Sequence, residues 1–100
     1  MLMPYVWLFY DISKDASRTH IAKLCKKAGL RRMQKSVFFG NLTDFNIQLL
    51  IQNVRPRINP QTDRFIVLPD DKTVFQRLKA LGQVTAKAFG EFWHRKVSFV

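Results

Sequence analysis

One cysteine, Cys25, and two histidines, His20 and His94, are all that this chain of 100 residues holds of the side chains that bind zinc through sulfur or nitrogen or form disulfides. A lone thiol excludes an internal disulfide and leaves no zinc-ligand spacing, which fits a reducing, cytoplasmic setting. Ser36 has no neighbouring base, so a serine or cysteine nucleophile activated by histidine finds little support. Long apolar runs are also missing. The stretch from Met1 to Tyr10 is about half of the ~20 residues that a membrane span requires, and it lacks the basic start and small-residue cleavage site of a signal peptide. No membrane partner is expected. Acidic residues are the scarcest charged class, with 7 Asp+Glu against 17 Lys+Arg, a formal charge of +10. Between Ala16 and Thr43 there are none. Arg18, Lys23, Lys26, Lys27, Arg31, Arg32 and Lys35 all fall in that interval, an unneutralised basic block suited to a polyanion such as duplex DNA or RNA.

What is present suffices for one compact domain: 47% of residues are hydrophobic and nine are Phe, enough to bury a core. Tyr5 to Tyr10 is unbroken, aromatic and β-branched, the pattern of a central strand covered on both faces, and it ends at Asp11. Ser13 can cap the helix that follows, in which Ile21, Leu24, Cys25 and Ala28 recur at helical spacing and Gly29 closes the segment. Met33 to Phe39 reads as a strand, after which Gly40-Asn41 turns the chain. Thr43 is an N-cap for a second helix carrying Ile47, Leu50, Ile51 and Val54, which Pro56 prevents from continuing. Arg55 to Asp63 reads as a loop, and Phe65 to Leu68 as a short buried strand ended by Pro69. Val74, Phe75, Leu78 and Leu81 fit a helix running to Gly82, with a strand from Phe75 to Leu81 as the alternative. The chain finishes in Val97-Ser98-Phe99-Val100, an edge strand expected to pair with a partner subunit. There is no internal repeat and no low-complexity segment.

This order predicts an α+β fold, a ferredoxin-like βαββαβ sandwich with both helices on one face of an antiparallel sheet and a C-terminal strand-bearing tail. Residues 1–82 would form the domain and 83–100 an extension at the dimer edge. Tyr10-Asp11-Ile12 at a strand end, a basic helix, and the segment from Gly29 through Gln34-Lys35-Ser36-Val37-Phe38 stand in an order that resembles the CRISPR-associated protein "two" family. The resemblance covers roughly residues 4 to 69. Phe39 departs from it, standing where many family members carry an acid just after Ser-Val-Phe, and the tail from Gln83 onward matches no family pattern.

The resemblance implies a homodimer in which the Asp11 carboxylates of two subunits face each other and share Mg²⁺, with Mn²⁺ as the alternative ion, to activate water against a phosphodiester. Beside that stands a plainer use of Asp11, capping the next helix through the Ser13 and Lys14 amides. Asp15 and Asp44 open helices and complement their dipoles, and Asp70-Asp71 is better read as a turn and cap than as a metal pair. Arg31 and Arg32, after the helix-ending glycine, can grip phosphate bidentately and also complement the negative helix end. Cys25 falls on the apolar stripe as a core residue, while His20 and His94 face solvent or phosphate. Trp7, Phe9, Phe38 and Phe65 read as core and do not form an exposed stacking platform.

Three functions follow. One is a dimeric scaffold in spacer acquisition that holds nucleic acid by its backbone and bridges copies of the CRISPR integrase, the Cas "one" protein, as the resemblance implies. Another is a metal-dependent endonuclease or endoribonuclease using Asp11. The third, outside the family, is a small basic RNA-binding protein without catalysis.

Overall fold

The computed structural model describes residues 5–70, 79–80 and 98–99. The chain forms two compact units, Met1–Pro69 and Asp70–Val100. In chain order the elements are β1 (Tyr5–Asp11), α1 (Asp15–Lys27), β2 (Arg31–Gln34), β3 (Val37–Asn41), α2 (Asp44–Val54), a 3₁₀ turn (Arg55–Arg57), β4 (Arg64–Asp70), β5 (Lys79–Ala80) and β6 (Ser98–Phe99). The first four strands make one sheet in the order β2-β3-β1-β4, with β3 antiparallel to both β1 and β2. This is the ferredoxin-like plan that the sequence predicts.

Strand alternation divides β1 cleanly. Val6, Leu8, Tyr10 and, just beyond the strand, Ile12 point into the core with Phe38, Leu30 and Leu42. The helices close over that face with Ile21, Ala22 and Cys25 from α1 and Ile47, Leu50 and Val54 from α2. Tyr5, Trp7 and Phe9 alternate onto the opposite face, where Tyr5 stacks on Phe39 at 5.4 Å and Trp7 tilts against it at 4.4 Å. Both faces of the central strands are therefore apolar, which accounts for the unbroken hydrophobic run.

The helix ends follow local chemistry. Gly29 takes φ +94, and its amide bonds the Lys26 carbonyl while the Leu30 amide reaches Cys25, the two reverse bonds of a Schellman stop. Thr43 caps α2, its hydroxyl accepting from the Asn46 amide at 3.1 Å. Ser13 does not cap α1. Lys14 occupies the N-cap without a side-chain bond, and the Ser13 hydroxyl instead meets Asp63 and Thr62.

The segment expected as one strand from Met33 to Phe39 is two strands joined at Lys35-Ser36. Gly40-Asn41, expected to turn the chain, lies inside β3. The extra strand thus precedes the Lys35-Ser36 turn instead of following Gly40, and the pairing slips between Arg32 and Gln34, leaving a bulge at Met33. Gly40 is small for packing: a Cβ there would come within 3.0 Å of the Leu30 side chain.

In the second unit Lys79–Ala80 is a strand, so the helix reading fails at those two residues and the strand alternative holds. Residues 71–78 and 81–82 lie outside the described set. Ser98–Phe99 pairs in parallel with Lys79–Ala80 of the same chain. That internal pairing engages one edge of Ser98–Phe99 and leaves the other edge for the expected pairing with a partner subunit; residues 97 and 100 lie outside the described set.

Candidate nucleic-acid interface

The α1 residues Asp15, Arg18, Thr19, Ala22, Lys23 and Lys26 recur every three or four positions, so they form a single stripe along the helix. Opposite the stripe stands the tip of the β2–β3 hairpin. Between them lies a cleft of about 280 Å³, closed by Arg32, Lys35, Ser36 and the Tyr10 ring. Five of the seven basic residues singled out in the sequence line it: Arg18, Lys23, Lys26, Arg32 and Lys35. One carboxylate, Asp15, joins them.

The five cations are not equivalent. The Arg18 guanidinium donates to the Ile12 carbonyl at 2.8 Å and to the Ser13 carbonyl at 3.3 Å, and it pairs with Asp15. It pins the β1–α1 junction. Arg32 donates from Nε and Nη2 to the Lys35 carbonyl at 3.1 and 2.7 Å, and its guanidinium lies 5.6 Å from the centre of the Phe38 ring. The fork expected to grip phosphate and the end of α1 therefore holds the hairpin turn shut. Lys23, Lys26 and Lys35 are exposed and supply the cleft with charge not engaged by the backbone.

The remaining two candidates go elsewhere. Lys27 lies on the neighbouring flank of α1 with Leu24 and Ala28, facing Asn46 and Leu49 of α2. Arg31 pairs in register with Phe39, so alternation turns it to the sheet face away from the helices. The acid-free block is continuous in sequence but is divided among three surfaces in the fold.

Tyr10 was legible as part of a strand end, not as the floor of this cleft. Its hydroxyl donates to the Lys35 carbonyl at 3.4 Å, and burial raises the phenol above its ordinary range while Arg32 opposes the shift. Cys25 lies in the core, and burial pushes its thiol up to about 12. His20 is half-buried on α1 and lines neither the cleft nor the Lys27 flank.

Asp11 ends β1 exposed. With Tyr10 and Ile12 in the core, it alternates onto the aromatic face and not into the basic cleft. Among the described residues its carboxylate meets no hydrogen-bond or ionic partner. The capping alternative fails at its first contact, because the Ser13 amide donates to Asp63 at 3.1 Å, across 50 residues of sequence. Asp63 also accepts from the Ser13 and Thr62 hydroxyls and the Asn59 amide, which hold its carboxyl down at about 2. No local signal in the sequence points to that long-range tie. Among the described residues no three metal-binding side chains stand together, and no helix is long and apolar enough to cross a membrane.

Known proteins resemble this chain in sequence and in fold. The chain is 38% identical over 60 residues to the CRISPR-associated endoribonuclease Cas2 1 of Archaeoglobus fulgidus, covering 60% of this chain and 64% of that protein. It is 35% identical over 60 residues to the CRISPR-associated endoribonuclease Cas2 of Desulforudis audaxviator, covering 60% of this chain and 57% of that one. In each case the chain spans less than two thirds of the relative's length. Among solved structures, Streptococcus pyogenes Cas2 superposes with a TM-score of 0.69 at 26% identity, covering 78% of this chain and 99% of that chain. The Thermus thermophilus protein TT1823 gives a TM-score of 0.73 at 25% identity, covering 84% and 96%. The model of one family, CRISPR associated protein Cas2, matches residues 3–78, which takes in the whole four-stranded sheet with both of its helices, and the chain belongs to that family.

Proposed function

We propose that this chain acts in CRISPR spacer acquisition as a homodimer that holds nucleic acid by its phosphates and scaffolds the integrase, the Cas "one" protein. The cleft between α1 and the β2–β3 hairpin carries the reading, with five cations against one carboxylate. Such a surface attracts a polyanion through charge, loses affinity as salt rises and takes little account of base sequence. A duplex suits it better than splayed single strands. Tyr10, the aromatic residue of the cleft, is buried, with Phe38 and Phe65 stacked at 6.2 and 6.4 Å, and offers no open platform for a base. Family membership displaces the reading of a small RNA-binding protein from outside it.

A second reading, metal-dependent cleavage, rests on Asp11, an exposed carboxylate with no partner among the described residues. The two relatives compared above are both named as endoribonucleases. A lone carboxylate gives a hard cation at most two of the roughly six oxygens it requires, so one copy fits half a site. Asp11 from each of two copies would hold Mg²⁺ or Mn²⁺. Bound there, the ion supplies a water of lowered pKa and neutralises charge on the phosphoryl oxygens. Support for the second copy comes from edge strand β4. Its Ile66 and Leu68, 53% and 48% exposed, alternate with core-packed Phe65 and Val67 and so share the face of Asp11.

The test is cleavage of labelled RNA and labelled duplex DNA by purified protein with Mg²⁺, comparing wild type with Asp11→Ala, beside duplex binding over a salt series. Salt-sensitive duplex binding that survives Asp11→Ala is the expected result. Cleavage lost in the variant adds the nuclease, while absence of duplex binding at low salt overturns the scaffold.

A further inference from the structure

The carboxylate of Asp11 meets no partner among the described residues, so the backbone that carries it decides where it stands. That backbone is held tightly on its C-terminal side. Ile12 is buried at 2% exposure, and the Ile12 and Ser13 carbonyls accept from the Arg18 guanidinium at 2.8 and 3.3 Å. The Ser13 amide goes the other way, to Asp63 Oδ1 at 3.1 Å, and the Ser13 hydroxyl donates to the same oxygen at 3.1 Å.

The destination of that amide matters because of what an aspartate does when left alone. An aspartate side chain readily accepts a hydrogen bond from the amide two residues on, closing an Asx turn. For Asp11 that amide is the one on Ser13. In this fold a second carboxylate already occupies it, and that carboxylate is itself fixed: Asp63 Oδ2 accepts from the Asn59 amide at 2.9 Å, and the Asp63 amide donates to the Asn59 carbonyl at 2.8 Å. The Asn59–Asp63 turn thus presents a rigid acceptor to the junction after β1.

We infer that Asp63 is a positioning residue for Asp11, claiming the Ser13 amide so that the Asp11 carboxylate cannot fold back onto its own backbone and stays open to a cation. The inference rests on the reading of Asp11 as a metal ligand for its purpose. The competition for the Ser13 amide is separate from that reading. Asp63 touches no substrate and carries no step of a reaction.

The experiment uses the full chain, isotope-labelled for NMR, as wild type, Asp63→Ala and Asp63→Asn. The Ser13 amide proton and the Asp11 carboxyl carbon are followed while Mg²⁺ is added. In wild type the Ser13 amide, bonded to Asp63, is expected to be protected from exchange. Asp63→Ala is expected to hand that amide to Asp11, seen as a shift of the Asp11 carboxyl carbon before any metal is added, and to weaken Mg²⁺ at Asp11 about tenfold, the lower end of the effect of a supporting residue on metal affinity. Asp63→Asn keeps one acceptor oxygen for Ser13 and restores most of the wild-type behaviour, which a general loss of stability would not do. An Asp11 carboxyl signal unchanged in Asp63→Ala without metal overturns the inference. If Mg²⁺ leaves wild-type Asp11 undisturbed, the metal reading fails by itself, and the metal-free shift still decides whether Asp63 keeps Asp11 free.

Discussion

Replacing Lys23, Lys26 and Lys35 together by alanine removes the three cleft cations that the backbone does not already engage. All three are exposed, so each substitution should change stability by no more than about 0.5 kcal/mol. Their effect belongs to binding. Each phosphate neutralised on B-DNA contributes about −0.9 to the slope of log affinity against log salt, so three lysines account for a slope of about −2.7. Raising salt from about 50 to 200 mM should then cost the wild type about 40-fold more duplex affinity than it costs the triple variant. Fluorescence anisotropy with a labelled duplex at a series of salt concentrations reads this directly, and thermal unfolding checks that the variant is folded. The matched control is the double variant Lys27→Ala, Arg31→Ala, which removes charge from the two surfaces outside the cleft. If the double variant flattens the slope by about 1.8, the full share of two phosphate contacts, while the triple variant flattens it by less, the cleft is not where the phosphates lie. If the triple variant keeps the full slope, the interface reasoning is wrong.

The other predictions concern stability and reactivity. Thr43→Ala removes the acceptor of the Asn46 amide and should cost about 1 kcal/mol in urea unfolding without changing the salt slope; an unchanged midpoint would count against the cap. With its thiol pushed up to about 12 by burial, Cys25 should resist thiol reagents at mildly alkaline pH until the chain unfolds, and fast labelling of native protein would contradict that burial. Asp63, held at about 2 by the amides of Asn59 and Ser13, binds its proton less readily folded than unfolded. The stability it lends is complete above the unfolded value of about 3.9 and drains away as pH falls toward the folded one. Asp63→Asn should flatten acid unfolding between those limits, and a pH profile identical to wild type would refute the tie.

Both helices, the stop of α1 and the start of α2 were legible because they obey short-range rules, whereas the start of α1 was not, since Ser13 is drawn away to Asp63. The i, i+3, i+4 spacing in α1 and α2, the hydroxyl of Thr43 and the left-handed Gly29 each act within one or two turns. The hairpin was misplaced because its signals are inverted. Lys35-Ser36 is not a turn-forming pair by composition and is held by Arg32, whereas Gly40 looks like a turn and is small to let Leu30 approach. Charge showed that a basic surface exists. Helical phase, not composition, sorted Lys26 into the cleft and Lys27 out of it. The tie from Asp63 to Ser13 was illegible, since nothing within 50 residues distinguishes that aspartate from one closing an ordinary turn.

The stripe of cleft residues on α1 also limits how the chain can diverge. Ile21 and Cys25 face the core from the same helix that presents Lys23 and Lys26 to the cleft, so both functions are written in one angular phase. An inserted or deleted residue anywhere between Asp15 and Lys26 would rotate everything beyond it by about 100°. A deletion ahead of Ile21 would turn Lys23 and Lys26 toward the core, and an insertion there would turn the Cys25 thiol out of it, in a single mutational event. Point substitutions can drift along this helix, but changes in its length cannot, and descendants of the chain should keep the count from Asp15 to Gly29 fixed even where the residues themselves turn over.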